Sequence, residues 1–124
     1  MKKKLIEMSE LYDVYQGMLT EKQRDIFDHY YNNDLTLSEI ADNEDITRQA
    51  VRDAVLRSEE ILRDLERRLG LCEHFRNLYE SVEAILLAAS EIESLNRENY
   101  FDARISKAAE TIVRLAKGLT EESR

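Results

Sequence analysis

The chain contains no proline and only three glycines, Gly17, Gly70 and Gly118, in 124 residues. Sheet proteins need turn punctuation every 8–12 residues or so, and a chain this poor in turn formers does not supply it. The same scarcity excludes phosphate-cradling loops, because neither a Gly-x-Gly-x-x-Gly run nor a P-loop can be assembled. Leu, Ile, Ala, Glu and Arg dominate instead, with 35% charged and 43% hydrophobic residues, a helical balance. The expected fold class is all-α. The length suits about one domain, able to hold a core without disulfides or metal.

Apolar residues recur at three- and four-residue steps in six segments. Leu5, Met8, Leu11, Tyr12, Tyr15, Met18 and Leu19 stripe the first, with Gly17 as a stop signal near its end. Thr20-Glu21-Lys22-Gln23 then reads as a capping box, in which a hydroxyl and a side-chain amide satisfy two helix-end donors reciprocally. The helix it opens carries Ile26, Phe27, Tyr30 and Tyr31 and closes at Asn32-Asn33-Asp34. Thr36-Leu37-Ser38-Glu39 repeats the box for a short helix with Leu37, Ile40 and Ala41 on its apolar face. After the link Asn43-Glu44-Asp45-Ile46, Thr47 caps a helix that can run to Leu69, with a seam of Val51, Ala54, Val55, Ser58, Leu62, Leu65 and Leu69. Gly70 stops it, since glycine adopts the left-handed cap conformation without penalty.

Three capped helices with a short middle member and a tight turn define a helix-turn-helix unit. In that unit the last helix lays its N-terminal turns in the major groove. Here those turns read Thr47-Arg48-Gln49-Ala50-Val51-Arg52-Asp53. With Val51 and Val55 inward, Arg48, Gln49 and Arg52 face out. Arginine forks match guanine O6 and N7, and glutamine matches adenine N6 and N7. Lys22, Arg24 and Arg57 are the accompanying phosphate-contact candidates; a solvated helix face is the plainer use of such charges. The aromatic group Tyr12, Tyr15, Phe27, Tyr30 and Tyr31 has helical spacing and is expected in the core rather than on stacked bases.

The blocks Leu19-Thr20-Glu21-Lys22-Gln23, Tyr30 through Ala41 and Thr47-Arg48-Gln49-Ala50-Val51 resemble the YlxM family, small bacterial proteins similar to the helix-turn-helix of sigma-factor region four. The likeness runs from residue 5 to about residue 76. It implies a cytoplasmic regulatory protein, and a link to the signal recognition particle pathway, because genes of that family typically neighbour those of the particle's GTPases. Asp45 stands where the family usually has glycine, Glu44 where it has an apolar residue, and Leu56 where a basic residue is common.

Beyond Gly70, Phe75, Leu78, Val82, Ile85, Leu86, Ala89 and Ile92 stripe one helix and Phe101, Ile105, Ala108, Ala109, Ile112, Leu115 and Leu119 the next. The polar run Ser94 to Asn99 is the expected turn between them. Residues 1–70 thus form the helix-turn-helix domain and 71–124 a C-terminal helical hairpin, packing on the first part, dimerising, or both. Val82 to Ala89 is apolar over more than half its circumference, so Val82, Ile85, Leu86 and Ala89 are candidate interface residues of a homodimer.

The net charge of −8 argues against a broad polyanion-coating surface but leaves room for a local basic patch. It also favours a competing class, a protein-interaction adaptor that contacts signal recognition particle components rather than duplex DNA. The lone Cys72 suits a reducing cytoplasm. Cys72-Glu73-His74 falls short of a zinc site, which needs three or four ligands, and His29 lies on another helix. No metal or cofactor is expected. Carboxylates at helical spacing with Arg and Lys are surface pairs, and Ser58 has no positioned base, so the chain reads as a non-enzyme. Lys2-Lys3-Lys4 is followed by a charge within three residues, which denies a signal-peptide core, and the longest apolar run, Ala84 to Ala89, is far short of the roughly 20 residues that span a membrane. No membrane insertion is expected.

Overall fold

A computed structural model of the chain describes residues 2–121, and every regular element among them is helical. In order these are α1 (Lys2–Tyr15), a 3-10 turn (Gln16–Met18), α2 (Glu21–Phe27) continued by a π-helical turn (Asp28–Asn32), α3 (Leu37–Glu44), α4 (Arg48–Leu69), α5 (Leu71–Asn99) and α6 (Ala103–Glu121). The chain falls into two compact units, residues 1–72 and 73–124.

Both expected capping boxes are present. The Thr20 hydroxyl accepts from the Gln23 amide at 3.1 Å while the Gln23 side chain accepts from the Thr20 amide at 2.9 Å. Thr36 and Glu39 repeat the exchange at 3.1 and 3.0 Å. Each box satisfies two of the four orphan donors that open a helix, which is why α2 and α3 start where they do. Gly17 is not the stop expected of it: α1 ends at Tyr15 and Gly17 sits in the 3-10 turn with no positive φ. Gly70 does take the left-handed conformation, with φ 63° and ψ 27°, and closes α4. The next two amides, which open α5, are satisfied from α1 and α4: Leu71 donates to the Tyr15 hydroxyl at 3.0 Å and Cys72 to the Glu66 carboxylate at 3.0 Å. Tyr15 itself donates to Glu66 at 2.6 Å.

The core of the first unit has two parts. Met8, Leu11, Tyr12, Tyr15, Leu19, Phe27, Leu62 and Cys72 hold α1 against α2 and α4. Ile26, Ile40, Ala41, Val51 and Val55 hold the helix-turn-helix together. The aromatic residues belong to this core, as their spacing implies: Tyr12 stacks on Phe27 with centroids 4.6 Å apart, and Phe27 on Tyr31 at 4.5 Å. Such pairs contribute about 0.5–1.5 kcal/mol beyond the area they bury. Burial, then the bond to Asp28, pushes the Tyr12 phenol up to about 12; burial and Glu66 do the same for Tyr15. Glu59 is a buried carboxylate on α4, 2% exposed. It accepts from the Tyr31 hydroxyl and pairs with Lys4 Nζ at 3.3 Å. Beside it Ser58 is 1% exposed, and its hydroxyl has no partner. Leu69, expected in the seam, is 56% exposed, because α4 leaves the core in its last turn.

In the second unit the buried positions fall at seven-residue steps: Val82, Ala89 and Asn96 on α5, Ala109 and Ala116 on α6. This is the repeat of two helices wound along a shared seam. The turn lies later than the sequence suggests. The Ser94–Asn99 run stays helical, and Tyr100, Phe101 and Asp102 make the corner. Asn96 holds it, donating to the Asp102 carbonyl at 2.8 Å and the Ser106 hydroxyl at 2.9 Å while accepting from the Asp102 amide at 2.9 Å. With no glycine available, Phe101 takes a φ of 51°, a position bulky residues rarely occupy. The Arg104 guanidinium and amide hold the Asp102 carboxyl below its usual range. Phe101, expected in the stripe of α6, is therefore 81% exposed at the tip.

Candidate nucleic-acid interface

The short α3 ends at Asp45, whose φ of 54° and ψ of 46° are left-handed. The Asp45 amide closes on the Ala41 carbonyl, and the Ile46 amide follows onto the same oxygen at 3.1 Å. Asp tolerates this conformation better than most residues, so the turn forms without the usual glycine. Thr47 then caps α4, its hydroxyl accepting from the Ala50 amide at 3.0 Å. Val51 and Val55 are 0% and 4% exposed against Ile26, Ile40 and Ala41, which fixes the rotation of α4 about its axis.

That rotation places every sequence-derived candidate on α4 and at its cap on the outside. Thr47, Arg48, Gln49 and Arg52 are exposed on the first two turns of the helix, and Lys22 and Arg57 are exposed on α2 and α4. Leu37, Arg48, Gln49 and Arg52 line an open cleft of about 350 Å³ where α3 meets α4. No ion pair engages Arg48, Arg52 or Lys22 among the described residues. Two carboxylates of α3 are engaged elsewhere: Glu39 caps Thr36, whose backbone amide holds it below the usual carboxylate range, and Glu44 lies 3.8 Å from His29. Arg57 differs, pairing with Glu60 at 3.4 Å. Asp53 does not pair with an arginine but accepts from the Gln49 side chain at 3.0 Å. This i, i+4 link was readable as a spacing, yet the sequence gives no sign of which partner Asp53 takes.

On the hairpin the candidate interface residues separate. Val82 and Ala89 are 3% and 1% exposed and so offer nothing to a partner, which removes them as interface residues; their seven-residue spacing puts them in the seam. Leu86 is half-buried and Ile85 40% exposed. The exposed large apolar positions are Tyr79, Ile85, Leu87, Ile92 and Leu95 on α5 and Ile112, Leu115 and Leu119 on α6. Among the described residues no group of His, Cys, Asp and Glu is placed to hold a metal ion, and no helix is long and apolar enough to cross a membrane.

A short bracing helix, a left-handed turn and a capped helix with unpaired arginines on its first turns define a helix-turn-helix protein. Family comparison agrees: residues 2–100 match the family UPF0122, described as "Putative helix-turn-helix protein, YlxM / p13 like". A UPF0122 protein of Shouchella clausii is 40% identical over 96 residues, covering 75% of this chain and 88% of its own length. UPF0122 proteins of Bacillus cereus strain AH187 and Bacillus anthracis strain A0248 are 40% identical over 98 residues, covering 79% of this chain and 89% of theirs. The chain belongs to the UPF0122 family of bacterial YlxM-like helix-turn-helix proteins. The match extends through α5, further than the residues up to about 76 that carry the motif blocks, and leaves α6 outside it.

Proposed function

We propose that this is a non-catalytic, cytoplasmic DNA-binding regulatory protein that lays the first turns of α4 in a major groove. The observation that carries the reading is the state of Arg48 and Arg52: exposed, beside one cleft, and unpaired despite 26 acidic residues in the chain. Thr47 and the helix N-terminus face a phosphate, Arg48, Gln49 and Arg52 face base edges, and Lys22 and Arg57 neutralise backbone charge. The YlxM likeness supports a place in the signal recognition particle pathway. A homodimer is part of the proposal. Ile85 and Ile92 on α5, and Ile112 and Leu119 on α6, keep the same seven-residue step as the buried seam. In an antiparallel hairpin the two stripes share one face, which a second copy covers. Ile85→Asp should halve the mass seen by light scattering without loss of helicity; a wild-type chain that is monomeric at high micromolar concentration refutes the dimer.

The adaptor reading is favoured by the net charge of −8 and by the carboxylates Asp42, Glu44 and Asp45 at the turn itself. One titration separates the two, run against random duplex, promoter DNA and the purified particle at two salt concentrations. The DNA reading expects selective duplex binding that survives physiological salt, with Lys22→Ala lowering the salt slope by about one unit. Weak, unselective duplex binding that vanishes there, while particle binding persists, overturns it in favour of the adaptor.

A further inference from the structure

The direction on α4 pointing straight away from Val51, Val55 and Leu62 is not held by the arginines. At about 100° per residue, Gln49, Asp53 and Leu56 stand opposite that buried seam, while Arg48 and Arg52 turn to the flank beside Leu37. Gln49 and Asp53 are one turn apart and joined, Nε2 donating to Oδ1 at 3.0 Å. That bond uses one of the amide's two donors and holds the Gln49 side chain against Asp53. The second Asp53 carboxylate oxygen is left as an acceptor, and a carboxylate has no donor to offer.

An acceptor-only carboxylate selects its base by what the base lacks. Guanine presents O6 and N7 in the major groove and thymine O4, so each would meet acceptor with acceptor. Adenine has an amino donor but sets the N7 acceptor beside it. Adenine N6 thus stands between two acceptors, its own N7 and the paired thymine O4, whereas cytosine N4 has an acceptor on one side only, the O6 of its paired guanine. Arg52, unpaired next to Asp53, then suits guanine O6 and N7, on the paired strand or at the neighbouring step.

We infer that Asp53, oriented by Gln49, is a specificity-determining residue that accepts from cytosine N4, so that the chain selects duplex sites with a cytosine at one fixed position. The inference rests on the DNA reading above and adds to it a base and a residue. It also gives the acidic charge on the reading face a use, because a carboxylate that repels phosphate is recovered only where cytosine pairs with it.

The test is enrichment of duplexes from a random pool by the full chain, then anisotropy titrations with single-base replacements. One position should be fixed as cytosine, and replacing it should weaken binding roughly five- to a hundredfold. Asp53→Ala should erase the preference there and leave the other positions as they were. Asp53→Asn should move it towards adenine, which an amide can both donate to and accept from. Asp53 is exposed, so unchanged circular dichroism checks that both variants fold. An enriched site whose base preferences are the same in Asp53→Ala overturns this assignment and leaves the DNA reading standing. A pool that shows no enrichment overturns both.

Discussion

Asp45→Gly should stabilise the first unit, and the gain can be worked from the turn. Asp45 sits at φ 54° with an exposed side chain. A left-handed residue with a Cβ costs about 1–2 kcal/mol, of which aspartate recovers part through its short polar side chain. Glycine removes that cost but brings a more flexible unfolded chain, worth about 0.4–1 kcal/mol in the other direction. The balance is a gain between about zero and 1 kcal/mol. Asp45→Ala keeps the Cβ and loses the polar side chain, so it should fall below the wild type by about 0.5–1 kcal/mol. Urea melts of the three proteins should therefore rank Gly, Asp, Ala. A loss above about 1 kcal/mol for Asp45→Gly would refute the reasoning, since it would mean that the carboxylate makes a needed cap. The same substitution removes a negative charge beside the recognition helix and should raise nonspecific duplex affinity at low salt.

Phe101→Gly should stabilise the hairpin by about 1 kcal/mol, because the left-handed strain goes and an 81% exposed ring leaves no cavity; a lower melting midpoint would contradict this. Tyr31→Phe should cost about 1.5–3 kcal/mol by taking a donor from the buried Glu59 carboxylate, whereas Ser58→Ala, which removes a hydroxyl with no partner, should be neutral or slightly stabilising in the same denaturant melts. Alkaline titration should unfold the first unit through its phenols. Tyr12 and Tyr15 ionise near 10 when unfolded but at about 12 when folded, so their contribution is whole below pH 10 and lost as the pH rises through 12. Tyr12→Phe should lessen that loss when stability is followed from pH 9 to 12.

Much of the fold was legible because it depends on local signals. The boxes Thr20/Gln23 and Thr36/Glu39, the Thr47 cap and the Gly70 stop each fix a helix end within a few residues of chain. The rotation of α4, and with it the outward Arg48, Gln49 and Arg52, followed from the valine spacing. The hairpin corner was not legible, since it is set by a buried Asn96 reaching six residues forward and by a strained Phe101 that no turn propensity favours. The interface candidates Val82 and Ala89 went astray because an apolar stripe does not say which of its residues the chain's own seam consumes. At the site, periodicity showed that Asp53 was near the arginines, but only the side-chain geometry shows that it bonds Gln49 instead.

The central claim is that the first turns of α4 enter a major groove, and amide chemical-shift mapping during duplex titration tests it most directly. The account predicts shifts at Leu37 and from Thr47 to Leu56 that saturate with the duplex and fade in Arg52→Ala. Shifts confined to the exposed hairpin stripe between Ile85 and Leu119, or absent from α4 at saturating DNA, would contradict it.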